Sequence, residues 1–162
     1  MNNNVERMSV KFDSDSVNES FARIVVSAFV TRLNPTIDEM EDIKMAVSEA
    51  VTNSIIHGYE KKQGTIKMEC EIDGREIVIR IIDNGRGIEN IEEAMKPLFT
   101  TKPDEERSGM GFSIMKVVMD DVRVVSGASG TIVTLSKRIG EYLENEGDCR
   151  RIVEGVWKTS NS

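Results

Sequence analysis

Residues 47–59 read VSEAVTNSIIHGY, and within them Glu49 and Asn53 stand four positions apart. On a helix that spacing stacks the two side chains on one face, one turn apart. Side by side, a carboxylate that accepts hydrogen bonds and a carboxamide that both accepts and donates them could face a bound ligand. The same pair also suits a solvated polar face, so the other chemistry-bearing stretches matter. IIDNGRGI ends an apolar run with Asp83, followed by Gly85 and Gly87 in alternate positions. That arrangement is either a plain tight turn or a buried carboxylate that accepts a hydrogen bond from an adenine amino group, with glycines admitting the flat base. ERSGMGFSIM carries Gly109 and Gly111 into a helix. Free amide N–H groups and the positive end of the helix dipole meet there, as an anion site suited to phosphate needs. Its spacing is neither that of a Walker loop nor that of a dinucleotide fingerprint. In SGTIVTL, Thr131 opens a strand directly after Gly130. Each stretch is ordinary alone, but all four fall at the ends of predicted elements.

Those elements can be read from periodicity. Residues 5–12 partly alternate, as an edge strand does. Val17, Phe21, Ile24, Val25, Ala28, Phe29 and Leu33 then recur at helical spacing until Asn34-Pro35. Thr36 and Glu39 form a capping-box pattern that opens a second helix, and Gly58 is its natural stop. The core stripe of that helix is Met40, Ile43, Val47, Ala50, Val51 and Ser54. Met45, Ala46 and Ile56 flank Glu49 and Asn53 on the other side, where a wall covered by a ligand would be apolar. GTIKMECEI and EIVIRIID are two strands joined at Asp73-Gly74. Residues 84–108 lack periodicity and include Pro97 and Pro103, a stretch long enough to be functional or mobile. GMGFSIMKVVMD resumes helical spacing with Phe112, Met115, Val118 and Met119 on one side. VRVVS and GTIVTLSK close the domain as a hairpin across Gly127 to Gly130. This order predicts an α+β two-layer sandwich, with helices on one face of a mostly antiparallel sheet. The domain spans 1–138. Residues 139–162 are expected to be a partly disordered extension, with one short helix around Glu141 to Glu146.

Composition excludes several function classes. A chain of 162 residues, 39% hydrophobic and 30% charged, has one globular domain and is not disordered. Its net charge of −7 argues against direct nucleic-acid binding, which needs a concentrated basic face. Acidity leaves a nucleotide ligand open, because backbone amides and one metal ion neutralise a triphosphate locally. Cys70 and Cys149 fit neither a zinc spacing nor a disulfide framework, and Cys70 falls in a strand as a small core residue. The opening MNNNVERMSV has no apolar signal core and no long apolar run follows, so a cytoplasmic protein off the membrane is expected. His57, just before Gly58, suits capping or packing better than a phosphoacceptor role. Trp157, in the extension, has no assigned role.

Asn53 on its helix, Asp83-x-Gly85-x-Gly87, Gly109-x-Gly111 and Gly130-Thr131, in that order, resemble the nucleotide-binding pattern of the GHKL superfamily. These Bergerat-fold proteins include the gyrase, MutL and histidine-kinase ATP domains. NESFARIVVSAFV, SEAVTNSIIHGY, PLFTTKPDEERSGMGFSIM and MDDVRV resemble one branch more closely, the anti-sigma-F factors of sporulation, across residues 8–138. The general-stress anti-sigma kinases are a sister branch, and PLFTTKP favours the sporulation one. The resemblance implies that Asn53 holds Mg²⁺ against ATP or ADP and that Glu49 is the general base for a serine hydroxyl. It implies that Asp83 binds the adenine amino group, Gly87 lines the base and Thr131 supports it. Residues 85–108 would be the ATP lid, with Thr100, Thr101 and Lys102 near the phosphates. Ser108, Gly109, Met110 and Gly111 would offer backbone amides, and Arg107 would sense the γ-phosphate and the incoming partner. Glu19 and Arg23 would grip a sigma factor. The implied protein is a homodimeric, ATP-dependent serine kinase that inhibits a sigma factor and phosphorylates its anti-anti-sigma antagonist. A general-stress-type kinase, a catalytically silent sigma-binding module and a histidine-kinase or gyrase-type ATPase are the alternatives.

Overall fold

A computed structural model describes residues 5–96 and 111–140. The alternating stretches form five strands, β1 (Glu6–Asp13), β2 (Thr65–Asp73), β3 (Glu76–Asp83), β4 (Asp121–Gly127) and β5 (Gly130–Arg138). They pair antiparallel throughout in the order β1-β2-β3-β5-β4. Ile66, Met68, Cys70 and Ile72 of β2 and Ile77, Ile79 and Ile81 of β3 are buried, whereas Lys67, Glu69 and Arg80 between them face outward. Because side chains alternate faces, a slip of one residue would turn that apolar set to solvent, so the burial pattern pins the register. Gly74, at φ +58°, makes the tight β2–β3 connection, with Asp73 paired to Glu76.

Four helices are described, α1 (Val17–Val30), α2 (Ile37–Asn53), α3 (Ile91–Ala94) and α4 (Gly111–Val118). The α1, α2 and α4 helices pack together over one face of the sheet, which is the predicted two-layer arrangement. The second helix opens on the predicted capping box. The Glu39 N–H donates to Thr36 Oγ1 at 3.1 Å and the Thr36 N–H donates to Glu39 Oε2 at 2.8 Å. Ile43, Val47, Ala50, Val51 and Ser54 are buried as expected, and Met40 packs against them half-buried.

Two expectations about faces need correction. Ala46, expected on the ligand-covered wall beside Glu49 and Asn53, is instead fully buried by the protein itself, because α2 lies between α1 and α4 and buries more than one stripe. On α1 the core side is Ala22, Val26, Phe29 and Val30, continued by Leu33, whereas Val17, Phe21 and Ile24 are exposed, Ile24 by 69%. Both sets recur at helical spacing, so periodicity does not decide which one meets the sheet. The aperiodic stretch after β3 also contains α3, capped where Asn90 Oδ1 accepts the Glu93 N–H at 3.0 Å. Residues 97–108 of that stretch lie outside the described residues.

The end of the sheet farthest from Asp83 is closed by polar groups. Glu39 Oε1 accepts the Gly140 N–H at 2.8 Å, and Arg75 donates through Nε to the Ile139 carbonyl at 2.6 Å. Ile139 is fully buried, so the packed body continues through Ile139 and Gly140. Residues 141–162, with the expected short helix, Cys149 and Trp157, lie outside the described residues. Burial pushes the Cys70 thiol up to about 12, which suits a core residue without thiolate chemistry. Burial also raises the Glu39 carboxyl, but the Gly140 and Thr36 N–H donors, the Thr36 hydroxyl and the Lys137 charge outweigh it and hold the group below its ordinary value.

Replacing Glu39 with alanine removes the acceptor of the buried Gly140 N–H and the part-buried Thr36 N–H and should cost about 1–3 kcal/mol in urea unfolding at neutral pH. A carboxyl that titrates lower in the folded than in the unfolded chain stabilises the fold above its unfolded value and loses that contribution as pH falls through the folded one. The gap between Glu39→Ala and wild type should therefore narrow below pH 4.5, the ordinary value of the group.

Candidate functional site

The helical run that α2 begins ends at Gly58, as expected, but not as plain α-helix. Its last turn, Ser54–Gly58, widens to π geometry, closed by the Tyr59 N–H donating to the Ser54 carbonyl at 2.9 Å. Single π turns are uncommon and cluster at functional sites. This one brings the helix end against the end of β3, where a Cβ on Gly58 would sit 3.2 Å from the Asp83 carboxylate. Asp83 is only 5% exposed. Its Oδ2 accepts the Ser54 hydroxyl at 2.7 Å and its Oδ1 accepts the Gly85 N–H at 3.0 Å.

The loop after Asp83 is strapped to the same turn. The Arg86 N–H donates to the Gly58 carbonyl at 3.0 Å, Arg86 Nε donates to the His57 carbonyl at 3.0 Å, and the Asn84 N–H donates to the Tyr59 hydroxyl at 2.8 Å. His57 thus belongs to the packing of this junction. A Cβ on Gly85 would lie 2.3 Å from the Gly58 carbonyl oxygen, and one on Gly87, at φ +78°, would lie 2.0 Å from that of Gly127. Both glycines are therefore required by close approach of the protein's own backbone, before any ligand is considered.

Asp83, Thr131 and Ser126 form a polar row across three neighbouring strands, since Asp83 pairs with Thr131 and Thr131 with Ser126. The Thr131 and Ser126 hydroxyls are 2.7 Å apart, and Ser126 Oγ accepts the Ile88 N–H at 2.7 Å. Sequence reasoning missed Ser126; its place opposite Thr131 across the β4–β5 hairpin was the signal that could have found it.

Glu49 and Asn53 are half-buried and converge on the first residue of α4. A Cβ on Gly111 would sit 3.0 Å from Glu49 Oε2 and 3.4 Å from both amide atoms of Asn53. The pair thus faces Gly111, the first described residue of α4, where the sequence expects free amides and the positive dipole end that favour an anion. Among the described residues no cluster of three or more His, Cys, Asp and Glu could hold a metal ion. A cation here would take the Asn53 carbonyl oxygen together with oxygens of an anionic ligand, which is how Mg²⁺ is commonly bound beside phosphates. Thr100, Thr101, Lys102, Arg107, Ser108, Gly109 and Met110 lie outside the described residues. On α1, Arg23 Nε and Glu19 Oε1 pair at 3.0 Å, and the Ser48 hydroxyl of α2 donates to the same Glu19 oxygen.

The chain that carries this sheet and these side chains matches a known protein class. The histidine kinase-like ATPase domain family matches residues 12–137. The anti-sigma F factor of Clostridium kluyveri is 56% identical over 131 residues, covering 80% of this chain and 92% of that protein. The anti-sigma F factor of a Thermoanaerobacter species is 57% identical over 134 residues, covering 82% and 94%. The RsbU and RsbW domains of a Mycobacterium tuberculosis protein share the fold with a TM-score of 0.61 at 20% identity, over 83% of this chain and 32% of that one. Fold and family match together define a histidine kinase-like ATPase domain, a framework for holding a nucleotide. Within that class, the chain belongs to the anti-sigma F factor family.

Alanine at Gly85 must push the loop away from Gly58, and a distortion worth about 1.4 kcal/mol weakens binding tenfold. Gly85→Ala should bind a fluorescent ADP analogue at least about tenfold more weakly, at the scale expected for a forced backbone shift. Gly74→Ala is the control, because open space surrounds it at φ +58°; it should cost about 1 kcal/mol of stability and leave the affinity unchanged.

Proposed function

We propose that this chain inhibits a sporulation sigma factor by binding it, and uses Mg-ATP to phosphorylate a serine on a small anti-anti-sigma protein. The observation that carries the reading is the convergence of Glu49 and Asn53 on Gly111 at the start of α4. The relatives' name, anti-sigma F factor, supports the first half, and the kinase-like ATPase family supports the second.

In this reading the amides at the start of α4 hold the phosphates, joined by Ser108, Gly109 and Met110. Asp83 accepts the adenine amino group, with Gly87 and Thr131 beside the base. Asn53 would be the protein's ligand to Mg²⁺, which when bound supplies positive charge that offsets the triphosphate. Phosphoryl transfer depends on alignment and charge neutralisation more than on covalent chemistry by the protein. The substrate serine oxygen bonds to the γ-phosphorus as the bond from that phosphorus to the β–γ bridging oxygen breaks, and ADP departs. Glu49, one turn from Asn53, takes the hydroxyl proton and later returns it to water. Thr100, Thr101, Lys102 and Arg107 act from the lid on the transferring phosphate and the arriving partner.

The α1 helix suits the binding half. Its Glu19–Arg23 pair stands on the helix that exposes Val17, Phe21 and Ile24, a mixed charged and apolar surface of the kind that interfaces bury. A sigma factor would engage Glu19 and Arg23, and a second copy of the chain would complete a homodimer. The antagonist displaces sigma in its unphosphorylated form, and its phosphorylation frees the dimer to bind sigma again. Such a cycle requires the nucleotide state to change the relative affinity for the two partners.

Glu49→Gln keeps the shape and removes the base. Mass spectrometry of the antagonist after incubation with Mg-ATP should show phosphoserine formation falling by about 100-fold or more, with ATP affinity retained. Undiminished transfer would reject Glu49 as the base. Intact sigma binding by a wild-type protein that never transfers phosphate would leave only the binding half.

A further inference from the structure

Ser54 opens the π turn that follows α2, continues the helix's core stripe, and is 4% exposed. A buried hydroxyl is costly unless bonded, and serines in helices commonly bond back to the carbonyl four residues earlier. Ser27 does so on α1, donating to the Arg23 carbonyl at 2.7 Å. Ser54 instead donates across the core to Asp83 Oδ2 at 2.7 Å, a link between residues 29 apart in the chain. Its own carbonyl closes the π turn by accepting the Tyr59 N–H, so its backbone and its side chain both serve the junction between helix end and strand end.

We infer that Ser54 is a positioning residue that makes Asp83 selective for a purine bearing a 6-amino group. The inference rests on the reading of this pocket as an adenine-nucleotide site. An ionised carboxylate only accepts hydrogen bonds, so the ligand group that meets it must donate. With the Ser54 hydroxyl on Oδ2 and the Gly85 N–H on Oδ1, the plane of the carboxylate is fixed from both sides. Its remaining lone pairs point in set directions. A 6-amino group can satisfy one of them, whereas a 6-keto group would set oxygen against oxygen. Sites that hydrogen-bond one ligand group discriminate steeply, because the wrong ligand leaves a buried polar group unpaired. Without Ser54, only the Gly85 N–H orients the carboxylate, and the penalty for a keto group softens as Asp83 turns. Asn53 and Ser54 are consecutive, so one step of chain sends one side chain toward Gly111 and the next toward Asp83.

The test measures dissociation constants of ADP and inosine diphosphate, both with Mg²⁺, for wild type and Ser54→Ala. Wild type should prefer ADP by about 100-fold or more. The variant should lose about tenfold in ADP affinity and much less for inosine diphosphate, so that the preference narrows by about tenfold. An equal loss for both nucleotides, or no loss, would reduce Ser54 to a packing residue and overturn the inference. Ser54→Cys, similar in shape and a weaker donor, should fall between the two, and it decides by the same ratio should the alanine variant not fold. A wild-type protein that binds neither nucleotide would overturn the nucleotide reading and the Ser54 role together. Wild type that discriminates, with the ratio unchanged in the variants, would overturn the Ser54 role alone.

Discussion

A buried carboxylate at the end of a central strand governs this molecule. Asp83 cannot stay charged and enclosed without donors, and isolated burial of a charge costs far more than one tertiary contact returns. One donor comes from the loop that follows, at Gly85, and the other from the end of α2, at Ser54. The helix must therefore finish against that strand and nowhere else. Glycines at 58 and 85 allow the two backbones to approach, and the π turn supplies the extra residue by which the helix end reaches across.

The α2 helix serves three structural ends at once. Its first turn is locked by reciprocal capping between Thr36 and Glu39. Its middle is enclosed by the sheet below and by α1 and α4 at its sides. Its last two turns present Glu49 and Asn53 to α4 and Ser54 to Asp83. Rigid packing of the middle is what keeps the polar end in register, since a side chain on a fixed helix loses little further freedom when it meets a ligand. The exposed apolar residues of α1, Val17, Phe21 and Ile24, stand outside this scheme and take no part in the core.

Sequence reasoning reached those parts whose signals are local. Alternation of isoleucine with charge marks β2 and β3, Asp73-Gly74 marks their turn, and Thr36 with Glu39 marks a helix start; all four features are present. Asp83, Thr131, Glu49, Asn53 and Gly111 could be named because each stands at an element boundary beside a glycine or one turn from another polar group, and the fold brings them to the same end of the molecule. The failures share one cause, dependence on contacts distant in sequence. Two stripes on α1 obey the same period, and only the position of the sheet distinguishes them. The π turn leaves no mark in periodicity, so Ser54 passes for a core residue until Asp83 is seen opposite it. Ser126 gains meaning only from the pairing of β4 with β5.

The closure at Glu39 and Gly140 has a further architectural meaning. Gly140 is fastened at the start of α2, whereas Asn53 ends it, and a helix of 17 residues separates its ends by about 25 Å. Whatever sequence is appended after that glycine sets out from the opposite pole to the pocket. That starting point lies a whole helix length from Asn53, on the side of the domain that carries the Thr36–Glu39 capping box.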